Sequence, residues 1–255
     1  MRPVDPDPLR LDPLAVGLAH LRAAEPDHEQ AVYWFRVAAD AGSAEGLAMF
    51  AFCQLEGLGL PRDPEQARQR LERASSEGSL TAKFNLGRAL VAGWGGAADA
   101  TRGVALYTAA AAQGHADATF NLASCLDAGW GCQADRLAAK ALFLRARALG
   151  SALKAPGLRV RQRELDAVRN LARRFAHSGD LAHLIEERQH EIALMHELVR
   201  HPSRKPRLSR RQRGWLTRAV SVTAVVASVA GAVVGFFGWR GGQALTHDAG
   251  PTSIR

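Results

Sequence analysis

A fixed spacing of 36 residues constrains this chain more than any other feature of its sequence. Glycine recurs at this step at Gly42, Gly78, Gly114 and Gly150, and aspartate recurs at Asp27, Asp63, Asp99 and Asp135. A period between about 20 and 50 residues indicates stacked supersecondary units, each of which buries its apolar face against its neighbours. Such arrays more often bind partners than catalyse, so the spacing favours an interaction protein over an enzyme.

Each repeat is predicted to contain two helices. Asp27 and Asp63 stand at predicted N-caps with a glutamine three residues later, which is the arrangement of a capping box. Pro64 follows at the first helical position, where its missing N–H costs nothing. Apolar residues then recur at the helical spacings of four and three. They are Ala31, Phe35 and Ala38, with the equivalents Ala67, Leu71, Ala74, Ala139, Phe143 and Ala146.

The recurring glycines are predicted to end the helices. Gly42 and its equivalents follow the first helix, where we expect the left-handed conformation that only glycine adopts cheaply. A second helix is predicted around residues 48–51, 84–87 and 120–123. It ends at a Gly-x-Gly turn, which recurs at 57–59, 93–95 and 129–131. The predicted unit is a helix hairpin with a tight inner turn and a looser outer turn.

These residues resemble the Sel-1-like repeat, a close relative of the tetratricopeptide repeat. The family's spacing of alanine, aromatic and glycine positions is met by Ala31, Phe35, Ala38, Ala39, Gly42, Gly57 and Gly59, and twice more at the same step. The resemblance implies a right-handed superhelix that presents a curved surface to a protein or peptide, and it implies no chemistry. We assign residues 1–27 to a degenerate N-terminal helix and 28–152 to the repeats. Pro156 and Gly157 interrupt the expected last helix, so the array should stop near residue 155.

The segment after the repeats is predicted to be helical and amphipathic. Its two apolar stripes are separated by Ser178-Gly179-Asp180. One interpretation is an amphipathic helical hairpin over 153–200 that caps the open end of the array. The alternative is a short coiled coil between copies, although the heptad pattern is shorter than a coiled coil normally needs. The stripes are Leu165, Val168, Leu171 and Phe175, then Leu181, Leu184, Ile185, Ile192, Met195, Leu198 and Val199.

A charge-free stretch from Ala219 to Trp239 is the second strong signal in the chain. Its 21 residues lie between two arginines. A helix rises about 1.5 Å per residue, so this stretch just crosses a hydrocarbon core of about 30 Å. A buried core helix is the alternative, but the sequence offers it no evident packing partners. We therefore predict one transmembrane helix over 219–239 and an external tail over 240–255.

The charge around this stretch predicts its orientation. The juxtamembrane segment 201–218 is basic, so the positive-inside rule places the N-terminal side in the cytoplasm. Residues 1–152 hold 15 basic and 17 acidic side chains, so the net charge of +8 belongs mainly to the other end of the chain. This distribution gives little support for nucleic-acid binding and favours contact with anionic lipid. The basic residues expected to face lipid are Arg204, Lys205, Arg207, Arg210, Arg211 and Arg213.

The predicted span is also a candidate for self-association. Gly231 and Gly235 form a Gly-x3-Gly pair, and Ala227 extends this row of small residues by one turn. Residues four apart share a helix face, so two copies could bring their backbones into contact and form a homodimer. Chance is the competing explanation, because glycine is common in such spans.

Two tryptophans are candidate partner-binding residues. Trp94 and Trp130 occupy the same place in two outer turns, and Leu58 occupies it in the first unit. One interpretation is that both pack beneath the next helix pair. The other is that they are exposed anchors for a partner, because tryptophan is enriched at binding hot spots.

No catalytic, cofactor or metal site is predicted. His190 and His196 are six residues apart, which turns their side chains about 240° from each other on a helix and does not fit the zinc-protease motif. Cys53 and Cys125 are repeat-equivalent, and Ala89 fills the same position between them. We therefore interpret both cysteines as small packing residues.

The sequence as a whole predicts an all-α protein. The expected fold is an α/α superhelical solenoid of Sel-1-like helix hairpins, followed by the amphipathic hairpin and a single transmembrane helix. The expected function is a scaffold or adaptor anchored in a membrane, which we expect to be a bacterial inner membrane, with the array presented to the cytoplasm. One alternative is a regulatory subunit of a bacterial envelope enzyme or of a polysaccharide or secretion system. Another is an enzyme with an unrecognised site, which the lack of any convergent polar constellation disfavours.

Overall fold

The computed structural model describes residues 11–154, 162–177 and 180–200. These ranges contain ten α-helices and no strand, as predicted for an all-α fold. In chain order they are α1 (Pro13–Arg22), α2 (His28–Asp40), α3 (Ala44–Glu56), α4 (Pro64–Ser76), α5 (Leu80–Ala92), α6 (Ala100–Ala112), α7 (Ala116–Ala128), α8 (Arg136–Ala148), α9 (Gln162–His177) and α10 (Leu181–Arg200). Contacts divide the chain into one compact unit over residues 1–197 and another over 198–255, of which only the end of α10 is described.

The 36-residue step of the sequence is reproduced by the helices. The first helices of the units, α2, α4, α6 and α8, all have 13 residues and begin one step apart, and so do the second helices α3, α5 and α7. Helix α1 precedes them and lies within the segment 1–27 assigned to a degenerate N-terminal helix. From α1 to α9, each helix packs against the next one along the chain. The described part of the chain is therefore a solenoid of helix hairpins.

Local signals start and stop these helices as predicted. The carboxylates of Asp27 and Asp63 accept hydrogen bonds from the backbone N–H three residues later, both at 3.0 Å. Pro64 occupies the first turn of α4. The glycines that follow the first helices, Gly42, Gly78, Gly114 and Gly150, have φ of 87°, 99°, 86° and 92°. This left-handed conformation confirms their role as helix terminators.

The predicted apolar stripe of the first helices forms the interior of the array. Ala31, Phe35 and Ala38 are buried, and so are their equivalents in α4 and α8. Small residues of the second helices let the neighbouring helix come close. A Cβ on Gly87 would lie 2.6 Å from the ring of Tyr107, so a side chain there would displace α6 from α5. Cys53 and Cys125 are also buried, which confirms their interpretation as packing residues.

The outer turn of each unit rests on the start of its own first helix. A Cβ on Gly59 would lie 2.4 Å from the carbonyl oxygen of His28, and one on Gly95 would lie 2.1 Å from that of Pro64. Gly131 approaches the carbonyl group of Ala100 in the same way, at 2.3 Å. No side chain fits at these contacts. The glycines therefore let the backbone of the outer turn pack directly against the backbone of the first helix.

The last unit departs from the pattern at the described residues 151–154, where the other units begin their second helix. Ser151 stands one step after the N-cap residue His115 and two steps after Ser79, but residues 151–154 are not helical. The Ser151 hydroxyl instead donates to Asp117 Oδ1 at 2.6 Å. Pro156 and Gly157 lie outside the described residues. The position therefore keeps an inter-repeat hydrogen bond in place of a helix cap.

Helices α9 and α10 extend the core of this last unit. Val168, Leu171 and Phe175 of α9 are buried in the cluster that contains Leu142 of α8. Leu181 and Ile185 of α10 join the same cluster, with Leu184 packed against it. Ile192 and Met195 are half-buried. These contacts join α9 and α10 to the last unit, and the capping role of the segment stays a prediction.

The predictions for the end of the chain lie outside the described residues. They concern the basic segment 201–218, the stretch 219–239 with its small-residue row Ala227, Gly231 and Gly235, and the tail 240–255. Within the part of the chain that the structure describes, no helix combines the length and the apolarity needed to cross a bilayer.

Candidate partner-binding surface

The two tryptophans of the outer turns lie in different environments. Trp94 packs against the apolar cluster formed by α3, α4 and α5. The guanidinium carbon of Arg88 lies 5.3 Å from the centroid of its ring. Trp130, one step later, is 58% exposed. Trp94 is therefore packed, although against its own and the preceding unit rather than beneath the next helix pair, whereas Trp130 is exposed.

One difference between the repeats lies directly at the two tryptophans. Arg88 is fixed over Trp94 because its guanidinium donates to Glu56 Oε1 at 2.8 Å and to Asn85 Oδ1 at 3.2 Å. One step later the residue is Ser124, whose hydroxyl donates to the carbonyl of its own helix at 3.1 Å. A serine side chain is too short to cover an indole, so Trp130 stays open to solvent.

The turn that carries Trp130 is held in place by α10. Arg188 Nε donates to Asp135 Oδ2 at 2.6 Å. Gln189 binds both backbone groups of Gln133: its Oε1 accepts from the N–H at 2.7 Å and its Nε2 donates to the carbonyl at 3.0 Å. Asp135 is buried by this arrangement, whereas the equivalent Asp99 is exposed. Side chains of α10 thus hold the segment that directly follows Trp130.

Sequence reasoning missed a second exposed aromatic group. Tyr33 on α2 is 57% exposed, and its ring meets that of Trp34 edge to face with centroids 5.4 Å apart. The sequence does distinguish this position. The equivalents of Tyr33 are Gln69 and Ala105, so an aromatic residue occurs there only in the first of these units. Tyr33 therefore departs from the repeat pattern.

The two buried cysteines of the array are poor nucleophiles. Burial raises the pKa of the Cys53 thiol to about 12, and burial with the neighbouring Cys132 raises that of Cys125 to about 12. Neither thiol is a nucleophile at neutral pH, because the thiolate is the reactive form. Among the described residues, no group of three or more histidine, cysteine or acidic side chains could hold a metal ion.

A family model matches the array directly. The model, described as Sel1 repeat, matches residues 14–43, 44–79, 80–115 and 116–151, which together are more than half of the 255 residues. The chain belongs to the Sel1 repeat family. The model begins each repeat at a second helix, so it counts α1 with α2 as one repeat. Sel1 repeats typically form interaction scaffolds rather than catalytic domains, and proteins built from them generally bind protein partners.

Two solved structures are similar to this Sel1 repeat chain. A Sel1 repeat protein from Oxalobacter formigenes is 26% identical with a TM-score of 0.48, and the match covers 55% of each chain. The protective antigen c5321, present in uropathogenic Escherichia coli strains and displaying an SLR fold, is 19% identical with a TM-score of 0.39. That match covers 77% of this chain and 49% of c5321, so the chain spans about half the length of both proteins. No curated protein matches it.

Proposed function

We propose that this Sel1 repeat protein is a membrane-anchored scaffold that holds a protein partner on the cytoplasmic side of a bacterial inner membrane. The exposed indole of Trp130 on its braced turn carries the partner-binding part of the proposal. The anchoring part rests on the sequence, namely the charge-free stretch 219–239 and the basic segment 201–218 before it.

Trp130 has the properties of a binding anchor. Its side chain gains favourable free energy when a partner covers it, because a tryptophan buries a large apolar area and loses little rotamer freedom. The Arg188 and Gln189 contacts hold the segment directly after Trp130, which limits the backbone freedom lost when a partner binds. Truncating a hot-spot tryptophan costs about 2 kcal/mol or more, which is about a 30-fold loss of affinity.

The partner contact can be tested with two matched exposed aromatics. Full-length parent, Trp130→Ala and Tyr33→Ala proteins are captured from cross-linked membranes, and the co-purified proteins are quantified by mass spectrometry. A partner recovered with the parent and with Tyr33→Ala, but lost at least about tenfold with Trp130→Ala, supports the proposal. Equal recovery with all three proteins would contradict it, as would a loss confined to Tyr33→Ala.

The anchor is tested separately by reporter fusions and by deletion. A reporter active only outside the cytoplasm should be inactive when inserted after Gly150, with residues 219–239 retained downstream, and active when fused to Arg255. Deleting 219–239 should release the chain from the membrane and leave partner capture intact. Loss of capture on that deletion, with an unchanged circular dichroism spectrum, would favour a regulatory subunit that contacts its target through the span.

The basic segment and the small-residue row have their own tests. In a protein without 219–239, replacing Arg210, Arg211 and Arg213 by glutamine should weaken binding to anionic vesicles and leave partner capture unchanged. Cross-linking of the isolated span in membranes should fall when Gly231 and Gly235 are both replaced by isoleucine. Undiminished cross-linking would remove the homodimer from the proposal.

A further inference from the structure

His115 occupies a position where the other units carry serine. Ser43 caps α3 and Ser79 caps α5, and each hydroxyl accepts a hydrogen bond at 3.0 Å from the backbone N–H three residues later. His115 caps α7 in the same geometry, but the acceptor is the imidazole Nδ1, which lies 3.2 Å from the backbone nitrogen of Ala118. The third unit therefore has a cap that can titrate, whereas the serine caps cannot.

The imidazole also connects two repeats. Its ring stacks on Phe84 of α5, with centroids 4.8 Å apart and an angle of 26° between the planes. Phe84 in turn lies beside Tyr107 of α6, at 6.3 Å between ring centroids. His115 thus joins the second helix of one unit to the start of the second helix of the next.

Several groups act on the charge of this imidazole. Burial disfavours the charged form and is the largest influence, so it lowers the pKa of His115. The carboxylates of Asp117 on α7 and Glu45 on α3 oppose this effect, and Glu45 itself accepts hydrogen bonds from the hydroxyls of Ser79, the N-cap of α5, and Thr81 on α5. The group that α5 places against the ring is the uncharged Phe84.

We propose that His115 makes the junction between α5 and α7 sensitive to acid, so that the first turn of α7 opens at mildly acidic pH before the rest of the array. A neutral Nδ1 has a lone pair that accepts the Ala118 N–H, and a protonated Nδ1 has none. Protonation therefore removes the cap and places a positive ring at the positive end of the α7 dipole. The serine caps of α3 and α5 keep their acceptor at any pH.

The direction of the pH dependence follows from the lowered pKa of His115. An unfolded chain protonates this histidine near its ordinary value of about 6.5, whereas the folded chain resists protonation. The contribution to stability is therefore complete above about pH 6.5 and declines as the pH falls from there toward the folded pKa. Below both the folded and the unfolded pKa, the contribution of His115 to stability no longer changes with pH.

The test compares full-length parent with His115→Ser, which installs the cap used in the neighbouring units. The other histidines contribute equally to both proteins, so the difference in Tm isolates His115. Losing one cap corresponds to a Tm shift of about 2–4 °C in a protein of this size. We expect the parent to lose this much relative to His115→Ser between pH 7.5 and 5.0.

Hydrogen exchange locates the effect. After correction for intrinsic rates, exchange in residues 116–119 should rise about fivefold in the parent on acidification and stay unchanged in His115→Ser. His115→Asn, which also caps without titrating, should behave like His115→Ser. Parallel loss of Tm in all three proteins, or unchanged exchange at the start of α7 in the parent, would overturn the proposal.

Discussion

The ion pair between Arg188 and Asp135 gives the sharpest test of how α10 is attached to the array. The two side chains are 21% and 4% exposed, and the Arg188 Nε to Asp135 Oδ2 distance is 2.6 Å. Solvent therefore screens the pair only weakly. Replacing Arg188 by methionine keeps most of the apolar stem and removes the charge, so the change addresses the ion pair rather than the packing of the helix.

The expected loss of stability depends on the hydrogen bond that Asp135 retains when Arg188 is replaced. Its Oδ1 still accepts the N–H of Ala138 at 3.0 Å, so the carboxylate is not left without any donor. Breaking a fully buried pair costs about 3–5 kcal/mol, and losing a hydrogen bond to a charged group costs about 1.5–3 kcal/mol. The retained cap bond and the partial exposure of Arg188 place the expected loss near the lower range, at about 2 kcal/mol.

A matched control lies on the neighbouring helix. Arg174 and Glu187 also form an ion pair, but they are 3.8 Å apart and 56% and 37% exposed. Replacing Arg174 by methionine should cost no more than about 0.5 kcal/mol, because exposed pairs are screened by water and salt. Both variants are compared with the parent by urea unfolding of residues 1–200, followed by far-UV circular dichroism.

A double-mutant cycle separates the pair from other effects of Arg188. Asp135→Asn keeps an N-cap and removes the charge, so Arg188→Met should cost much less when Asp135→Asn is already present. The reasoning is refuted if Arg188→Met destabilises the fragment no more than Arg174→Met does. It is also refuted if the cost of Arg188→Met is the same with and without Asp135→Asn.

Two further predictions use the same unfolding and labelling methods. Gly95→Ala should destabilise the fragment by more than Gly78→Ala. Both residues have positive φ, but a Cβ on Gly95 would meet backbone at 2.1 Å, whereas nothing lies within 4 Å of a Cβ on Gly78. Gly78→Ala should cost about 1 kcal/mol, and an equal cost for Gly95→Ala would mean that the outer turn can rearrange to accept a side chain. Cys53 and Cys125 should resist an alkylating reagent at pH 8 and react on unfolding, because burial raises their pKa to about 12; rapid labelling of either in the native protein would contradict its burial.

The features that could be predicted from the sequence depend on neighbours within one repeat. The cap at Asp63, the left-handed Gly78 and the buried Phe35 each follow from residues a few positions away, so the 36-residue step carries them from unit to unit. The titratable cap at His115 was readable in the same way, since serine stands one step before and one step after it. A repeat pattern defined by its glycine, aspartate and alanine positions does not include this position.

The features that were missed depend on residues far apart in the chain. Asp135 and Arg188 are 53 positions apart, and no spacing rule connects an outer turn to a helix beyond the array. By contrast, the exposure of Trp130 goes with Ser124, only six positions earlier, which stands where the preceding unit has Arg88. Local patterns specify the units, whereas the individual contacts between them specify which surfaces remain open.

The backbone contacts of the outer turns have a mechanical consequence. Gly59, Gly95 and Gly131 touch carbonyl groups rather than side chains, and a backbone contact cannot relax by changing a rotamer. Each hairpin therefore has a fixed thickness that differs little from one unit to the next. The distance between equivalent surface positions of neighbouring units is therefore nearly constant. A partner that contacts two units must have its own contact points at that distance, or deform to reach the second unit.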